Sequence, residues 1–162
     1  MNNKPWDSLE RAIALAVNSH LGQRDKAGQP YILHLLRVMN GVSDPIGKQA
    51  AVLHDYIEDV AGTIEELRRN EISDSAIPAI VLLTRMEGST YCDYVIQLSQ
   101  NHIAKQVKLA DLEDNYRIGR FAFRAEHTAE DAKRMQRYAL SYQFLTQAIG
   151  EHEYRDRMQV LE

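Results

Sequence analysis

The chain has 162 residues, a formal net charge of −4, 44% hydrophobic and 26% charged residues, the balance of one globular domain large enough to bury a core. Its single cysteine, Cys92, cannot close an internal disulfide, and no spaced Cys/His pairs mark a structural zinc site. An acidic total without a basic block argues against a dedicated nucleic-acid binder, and no run approaches the roughly 18 apolar residues of a membrane span.

The first expected helix runs from about Asp7 to Leu21, where Leu9, Ile13, Ala16 and Val17 recur at helical spacing behind the N-cap candidates Asp7 and Ser8. The opening MNNKPWDSLERAIA lacks an uninterrupted apolar core of signal-peptide length, so the expected compartment is the reducing cytoplasm. Gly22 to Pro30 (GQRDKAGQP) is a glycine-bounded polar loop carrying Arg24 and Lys26. Tyr31 to Met39 resumes the helical pattern, until Gly41 and Asp44-Pro45 break it. Ile46 to Val60 reads as one continuous third helix, apolar and small on one side, with carboxylates near its end. Thr63 starts a short helix through a capping-box pattern with Glu66. Ser75 to Arg85, Thr90 to Ser99, His102 to Asn115, Glu130 to Ile149 and Tyr154 to Val160 complete the expected helices. No repeat, low-complexity tract or linker interrupts them. The expectation is a single all-α domain over 1–162, its motifs in about 7–120 and its C-terminal helices, 121–162, packed on that part.

Four places concentrate groups able to bind a divalent metal: His34, the pair His54-Asp55, the pair Glu58-Asp59, and Asp111. On a continuous third helix, residues three and four apart share a face, so His54 stacks on Glu58 and Asp55 lies beside Glu58 and Asp59. So much negative charge on a half-buried helix is unfavourable unless a cation or an ionic network compensates it. Imidazole and carboxylate suit Mn, Fe or Zn, and the absence of thiolate disfavours a closed structural zinc. Two histidines and two aspartates leave coordination positions open for water and substrate, as in a catalytic metal site. Glu58 and Asp59 are then spare carboxylates able to orient or deprotonate a water. Each member has an ordinary reading as well: His34 as a core histidine, Glu58-Asp59 as a solvated helix end, KLADLEDN as an amphipathic helix. Negative charge near a helix C-terminus opposes the dipole, which favours a functional role for the Glu58-Asp59 pair.

The segments HLGQRDKAGQPYILH (His20 to His34), AVLHDYIEDVAGTIEEL (Ala51 to Leu67), LLTRMEG with Tyr91 and Tyr94 beyond it, and VKLADLEDN (Val107 to Asn115) together resemble the HD-domain hydrolases of the RelA/SpoT type, especially the stand-alone small alarmone hydrolases. The resemblance implies an all-helical HD-domain bundle with a metal, typically Mn, held by His34, His54, Asp55 and Asp111. It implies that Glu58 and Asp59 handle the attacking water and that Asn115 helps hold the nucleotide. The implied reaction removes the 3′-pyrophosphate of (p)ppGpp, yielding GDP or GTP. Lys26 matches a basic family position beside the substrate, and with Arg24 it can bring positive charge to the mouth of the site. Backbone N–H groups of that loop can also contact phosphate. Tyr31, Tyr91 and Tyr94 are candidates to stack on a purine, with core packing the competing role for Tyr94.

The departures bear on the substrate. Asp25 stands where the family commonly has a second basic residue, Leu35 follows His34 in place of proline, and Tyr56 replaces a small residue and is expected to reshape the pocket. The chain ends too soon for the synthetase domain of the bifunctional members, so synthesis is not expected. Arg117, Arg120 and Arg124 read as solvated surface cations, and Met135, Tyr138, Ala139, Tyr142 and Leu145 as core packing or a subunit contact. The expected partner is a small nucleotide, with no nucleic acid and no membrane. The alternatives are a related phosphatase acting on another nucleotide or a phosphorylated dinucleotide, and a nucleotide-binding regulatory module without turnover.

Overall fold

A computed structural model describes residues 5–117 and 128–162, and within them the fold is helical throughout. The helices are α1 (Pro5–Ser19), α2 (Ile32–Asn40), α3 (Pro45–Val52), α4 (Tyr56–Val60), α5 (Ile64–Arg69), α6 (Ile77–Leu83), α7 (Tyr91–Ser99), α8 (His102–Asn115), α9 (Thr128–Leu145) and α10 (Glu151–Gln159). The all-α class expected from the sequence is the class observed. No helix among the described residues is long and apolar enough to cross a membrane. Arg120, Arg124 and the junction expected near 120–121 lie outside the described residues.

Among the described residues, side-chain caps set the starts of four helices. The Asp44 carboxylate accepts from the backbone N–H of Ile46 (3.1 Å) and Gly47 (2.8 Å), with Pro45 in the first turn. Thr63 and Glu66 form the expected capping box. Thr90 and Asn101 cap α7 and α8 by accepting from Asp93 (3.0 Å) and Ala104 (2.9 Å).

The third expected helix is two helices. Residues 53–55 form a turn, with Leu53 and Asp55 at φ/ψ of −112°/11° and −100°/3°, outside the α-helical region. Glu58 and Asp59 therefore fall in the first turn of α4, and the expected conflict with a helix dipole is absent. His54 and Asp55 project from the turn itself rather than from a helix face.

The core is one cluster. The small residues Ala50 and Ala51, fully buried, let α3 pack closely among α1, α2 and α8. Helix α8 lies against α2, α3, α6, α7 and α9. His34 of α2, the 53–55 turn and Asp111 of α8 are thereby placed at one end of the same core.

Candidate active site

His54 and His34 each use one ring nitrogen to fix the ring. His54 Nδ1 lies 2.8 Å from the Ala51 carbonyl, which can only accept, so Nδ1 carries a hydrogen and Nε2 is the nitrogen whose lone pair is available to a cation when the ring is neutral. His34 Nδ1 lies 2.7 Å from the Asp114 carboxylate, with the same consequence. Both Nε2 atoms turn towards Asp111 Oδ1, at 3.4 Å from His34 and 3.7 Å from His54. The ligand atoms of His34, His54 and Asp111 lie within 4.8 Å of one another, and all three residues are buried. Asp55 stands beside this group, its Oδ2 3.0 Å from His54 Nε2 and 3.9 Å from His34 Nε2. Two imidazole lone pairs and a convergent carboxylate, each oriented by a further hydrogen bond, fit a divalent cation with N/O preference.

The charges support the same reading. Burial alone would depress His54, but the Asp55 and Asp111 carboxylates hold it well above its ordinary value. Burial alone would raise Asp111, but Lys108, whose Nζ is 2.9 Å away, and the two imidazoles hold it well below the carboxylate range. Asp55 is likewise held down at about 2, His54 and the Tyr31 hydroxyl outweighing its burial. Tyr31 donates to Asp55 Oδ2 at 2.5 Å, and burial with that carboxylate beside it pushes the phenol far up. Asn115 donates to Asp111 Oδ1, also at 2.5 Å.

These groups line a cavity of about 480 Å³, which also admits Arg24, Lys26, Glu58 and Asp59. All twelve residues singled out from the sequence for metal, water or substrate, Tyr91 and Tyr94 included, thus line one space. Glu58 Oε2 accepts from the backbone N–H of Arg85 (3.0 Å), and Asp59 Oδ2 from the Gln23 amide (2.7 Å). The Tyr31 ring packs against the imidazoles of His20 and His34. Tyr94 donates to the Leu83 carbonyl at 2.7 Å and lies with Tyr91 beside Lys108.

The loop between α1 and α2 holds its shape through Asp25. One oxygen of its carboxylate accepts from both Ala27 and Gln29 N–H (2.9 Å each), while Gly28 turns the chain at φ 78°. Asp25 therefore builds the loop that presents Arg24 and Lys26, whose side chains are at the cavity. Tyr56 does not line the cavity, contrary to expectation; its buried ring lies against Gly62 and its hydroxyl reaches Glu66 at 3.3 Å.

Several participants escape a reading of the sequence. Asp114 and Lys108 support His34 and Asp111, and their signal is their placement one turn either side of Asp111. Arg134 and Tyr138 of α9 line the cavity, so the expected assignment of Tyr138 to core packing or a subunit contact is incomplete. Arg117 is exposed as expected, with Nε 3.8 Å from Asp114.

No protein-family model matches the chain. Among curated proteins, it is 28% identical over 143 residues to a GTP pyrophosphokinase of Streptomyces coelicolor, covering 81% of this chain and 17% of that protein. It is 27% identical over 146 residues to a guanosine-3′,5′-bis(diphosphate) 3′-pyrophosphohydrolase of Aquifex aeolicus, covering 82% and 21%. A protein of the same hydrolase name from Vibrio cholerae is 30% identical over 125 residues, covering 68% and 18%. The chain spans about a fifth of the length of these relatives. A solved structure of a metazoan ortholog of SpoT, which hydrolyzes ppGpp, superposes with a TM-score of 0.69 at 22% identity, covering 83% of each chain. The fold is thus shared with that protein, and the resemblance carried by the motifs extends to proteins of the RelA/SpoT type.

Proposed function

We infer that this chain is an HD-domain phosphohydrolase of the RelA/SpoT type and propose that it hydrolyses the 3′-pyrophosphate of (p)ppGpp, releasing pyrophosphate and GDP or GTP. The observation that carries this is the meeting of His34, His54 and Asp111 from two helices and a turn, at the floor of a cavity with cations at its mouth. The proposed metal holders are His34, His54, Asp55 and Asp111, with Mn²⁺ as the proposed ion. Bound there, a divalent ion supplies Lewis acidity for a phosphoryl oxygen and lowers the pKa of a water.

The chain's own residues divide the remaining work. Glu58 and Asp59 sit on α4 beside the metal ligands, where their carboxylates hold the attacking water and accept its proton. Arg24 and Lys26 offset the charge of the diphosphate from the loop between α1 and α2. Asn115, next to Asp111, holds both that carboxylate and the nucleotide, and Tyr31 orders Asp55 from the cavity wall. A phosphorylated nucleotide is the substrate class this arrangement fits, and the cytoplasm is the proposed compartment.

The test is a panel of nucleotides incubated with purified protein and Mn²⁺, with pyrophosphate and orthophosphate measured separately. Pyrophosphate release from ppGpp is the expected result. Release of only orthophosphate, with no pyrophosphate from ppGpp, overturns the alarmone assignment, and prolonged binding of ppGpp without cleavage replaces the enzyme by a regulatory module.

A further inference from the structure

We propose that His20 and Gln23 are positioning residues for Asp59, a hydrogen-bonded pair beside the cavity that fixes which oxygen of that carboxylate is free to meet water. The proposal rests on the hydrolase reading, because it assigns the pair a purpose in that reaction.

Asp59 needs such a device. It is exposed on α4, a helix of five residues, and an exposed carboxylate samples several rotamers. The Gln23 amide reaches it across 36 positions, Nε2 to Oδ2 at 2.7 Å. An ionised carboxylate only accepts hydrogen bonds, so the NH₂ end of the amide must face Asp59 and Oε1 must face the other way. There it meets His20 Nδ1 at 2.6 Å, which as donor to an amide oxygen carries the ring hydrogen.

Gln23 itself is anchored. Its backbone N–H donates to the His20 carbonyl (3.1 Å) and its carbonyl accepts from Tyr31 N–H (3.0 Å). The His20 ring is buried, 3% exposed, and stacks on Tyr31 with centroids 5.4 Å apart and planes 27° apart. His20 Nε2 is buried with no hydrogen-bond partner among the described residues. The polar engagement of this ring is therefore with Gln23, an arrangement that needs a reason because burying an unpaired ring nitrogen is costly. Holding Oδ2 of Asp59 by a charge-assisted bond leaves Oδ1 as the oxygen for water.

A role confined to loop architecture makes different predictions, since loosening the loop would move Arg24 and Lys26 and raise KM. The experiment measures kcat, KM and bound metal for wild type, Gln23→Ala, His20→Ala and His20→Asn, and repeats Gln23→Ala in an Asp59→Asn background. Gln23→Ala is expected to lower kcat about tenfold or more, with KM within about twofold and metal content unchanged. His20→Ala is expected to fall in the same direction, and His20→Asn, whose amide N–H₂ replaces Nδ1–H, to recover to within about twofold of wild type. In the Asp59→Asn background, Gln23→Ala is expected to cost nothing further. A raised KM at unchanged kcat, or an equal loss in both backgrounds, overturns the proposal. The contact is also read without turnover: the Gln23 side-chain amide proton should lie downfield in ¹H–¹⁵N spectra and move upfield in Asp59→Ala. An unmoved resonance removes the pair, whereas a wild type inert to every nucleotide removes the hydrolase reading and leaves the spectrum to decide the contact.

Discussion

His34 and Asp114, eighty positions apart, meet at 2.7 Å between Nδ1 and Oδ2 in a buried contact. Arg37, three residues beyond His34 on α2, grips the same carboxylate with Nε at 2.6 Å and Nη2 at 3.3 Å. The arginine balances the buried charge and leaves Asp114 to hold the imidazole. Asp114→Ala is expected to weaken Mn²⁺ binding about 10- to 100-fold, as loss of a carboxylate behind a liganding histidine does elsewhere. Titration calorimetry on protein with unchanged circular dichroism measures this, and an unchanged affinity would assign Asp114 to packing.

Removal of metal should destabilise the protein in a pH-dependent way. Burial opposes charge on His34 and His54, but the surrounding carboxylates win and raise both above the ordinary value of 6.5. A group raised on folding contributes fully below its unfolded pKa, and the contribution disappears as pH climbs through the folded one. Chelated protein is therefore expected to lose Tm as pH rises above about 6.5, the ordinary histidine value, while metal-loaded protein, its histidines held neutral, loses less. The Tm gap between the two should widen with pH. On the acid side Asp55, lowered to about 2, keeps its contribution until pH drops below the ordinary carboxylate range. A gap that closes towards alkaline pH would contradict the charge balance described for the site.

Lys108 supplies Asp111 with a counter-charge at 2.9 Å, and its ammonium lies 5.3 and 5.7 Å from the ring centroids of Tyr94 and Tyr91. Lys108→Met keeps the stem and removes the charge. The chelated variant is expected to lose about 3–5 kcal/mol, the cost of stranding a buried carboxylate. With Mn²⁺ present the loss should be smaller, because cation and lysine answer to the same aspartate. Urea unfolding with and without metal makes the comparison, and identical losses would separate the two.

Gly62 lies so close to Tyr56 that a Cβ there would overlap the ring. The ring is buried and its hydroxyl engages Glu66, so it cannot swing aside freely. Gly62→Ala is expected to destabilise by about 1–3 kcal/mol. Tyr56→Phe, away from the cavity, should leave KM unchanged. Thermal melts and steady-state kinetics check the pair.

The helical class, the capping box at Thr63 and the gathering of the candidate residues around one cavity were legible because each is written in spacing or in a local hydrogen bond. The break at residues 53–55 was not. Ala51 to Val60 contains neither glycine nor proline, and the interruption depends on contacts such as His54 with the Ala51 carbonyl that periodicity does not register. Asp114 was hidden for a related reason: in LEDN it reads as surface charge, and only the approach of α2 to α8 gives it a histidine and an arginine. Tyr138 and Arg134 were obscured because one turn of α9 serves both the core and the cavity wall, which the chain alone does not separate.

The interruption between α3 and α4 accounts for why a histidine and an aspartate can be immediate neighbours and still act together. On an uninterrupted helix consecutive side chains diverge by about 100° and do not face each other. At the bend, His54 Nε2 and Asp55 Oδ2 come within 3.0 Å. Any substitution that straightens this stretch, even one far from the pocket, would splay the two apart and dismantle the centre without altering a single one of its functional groups.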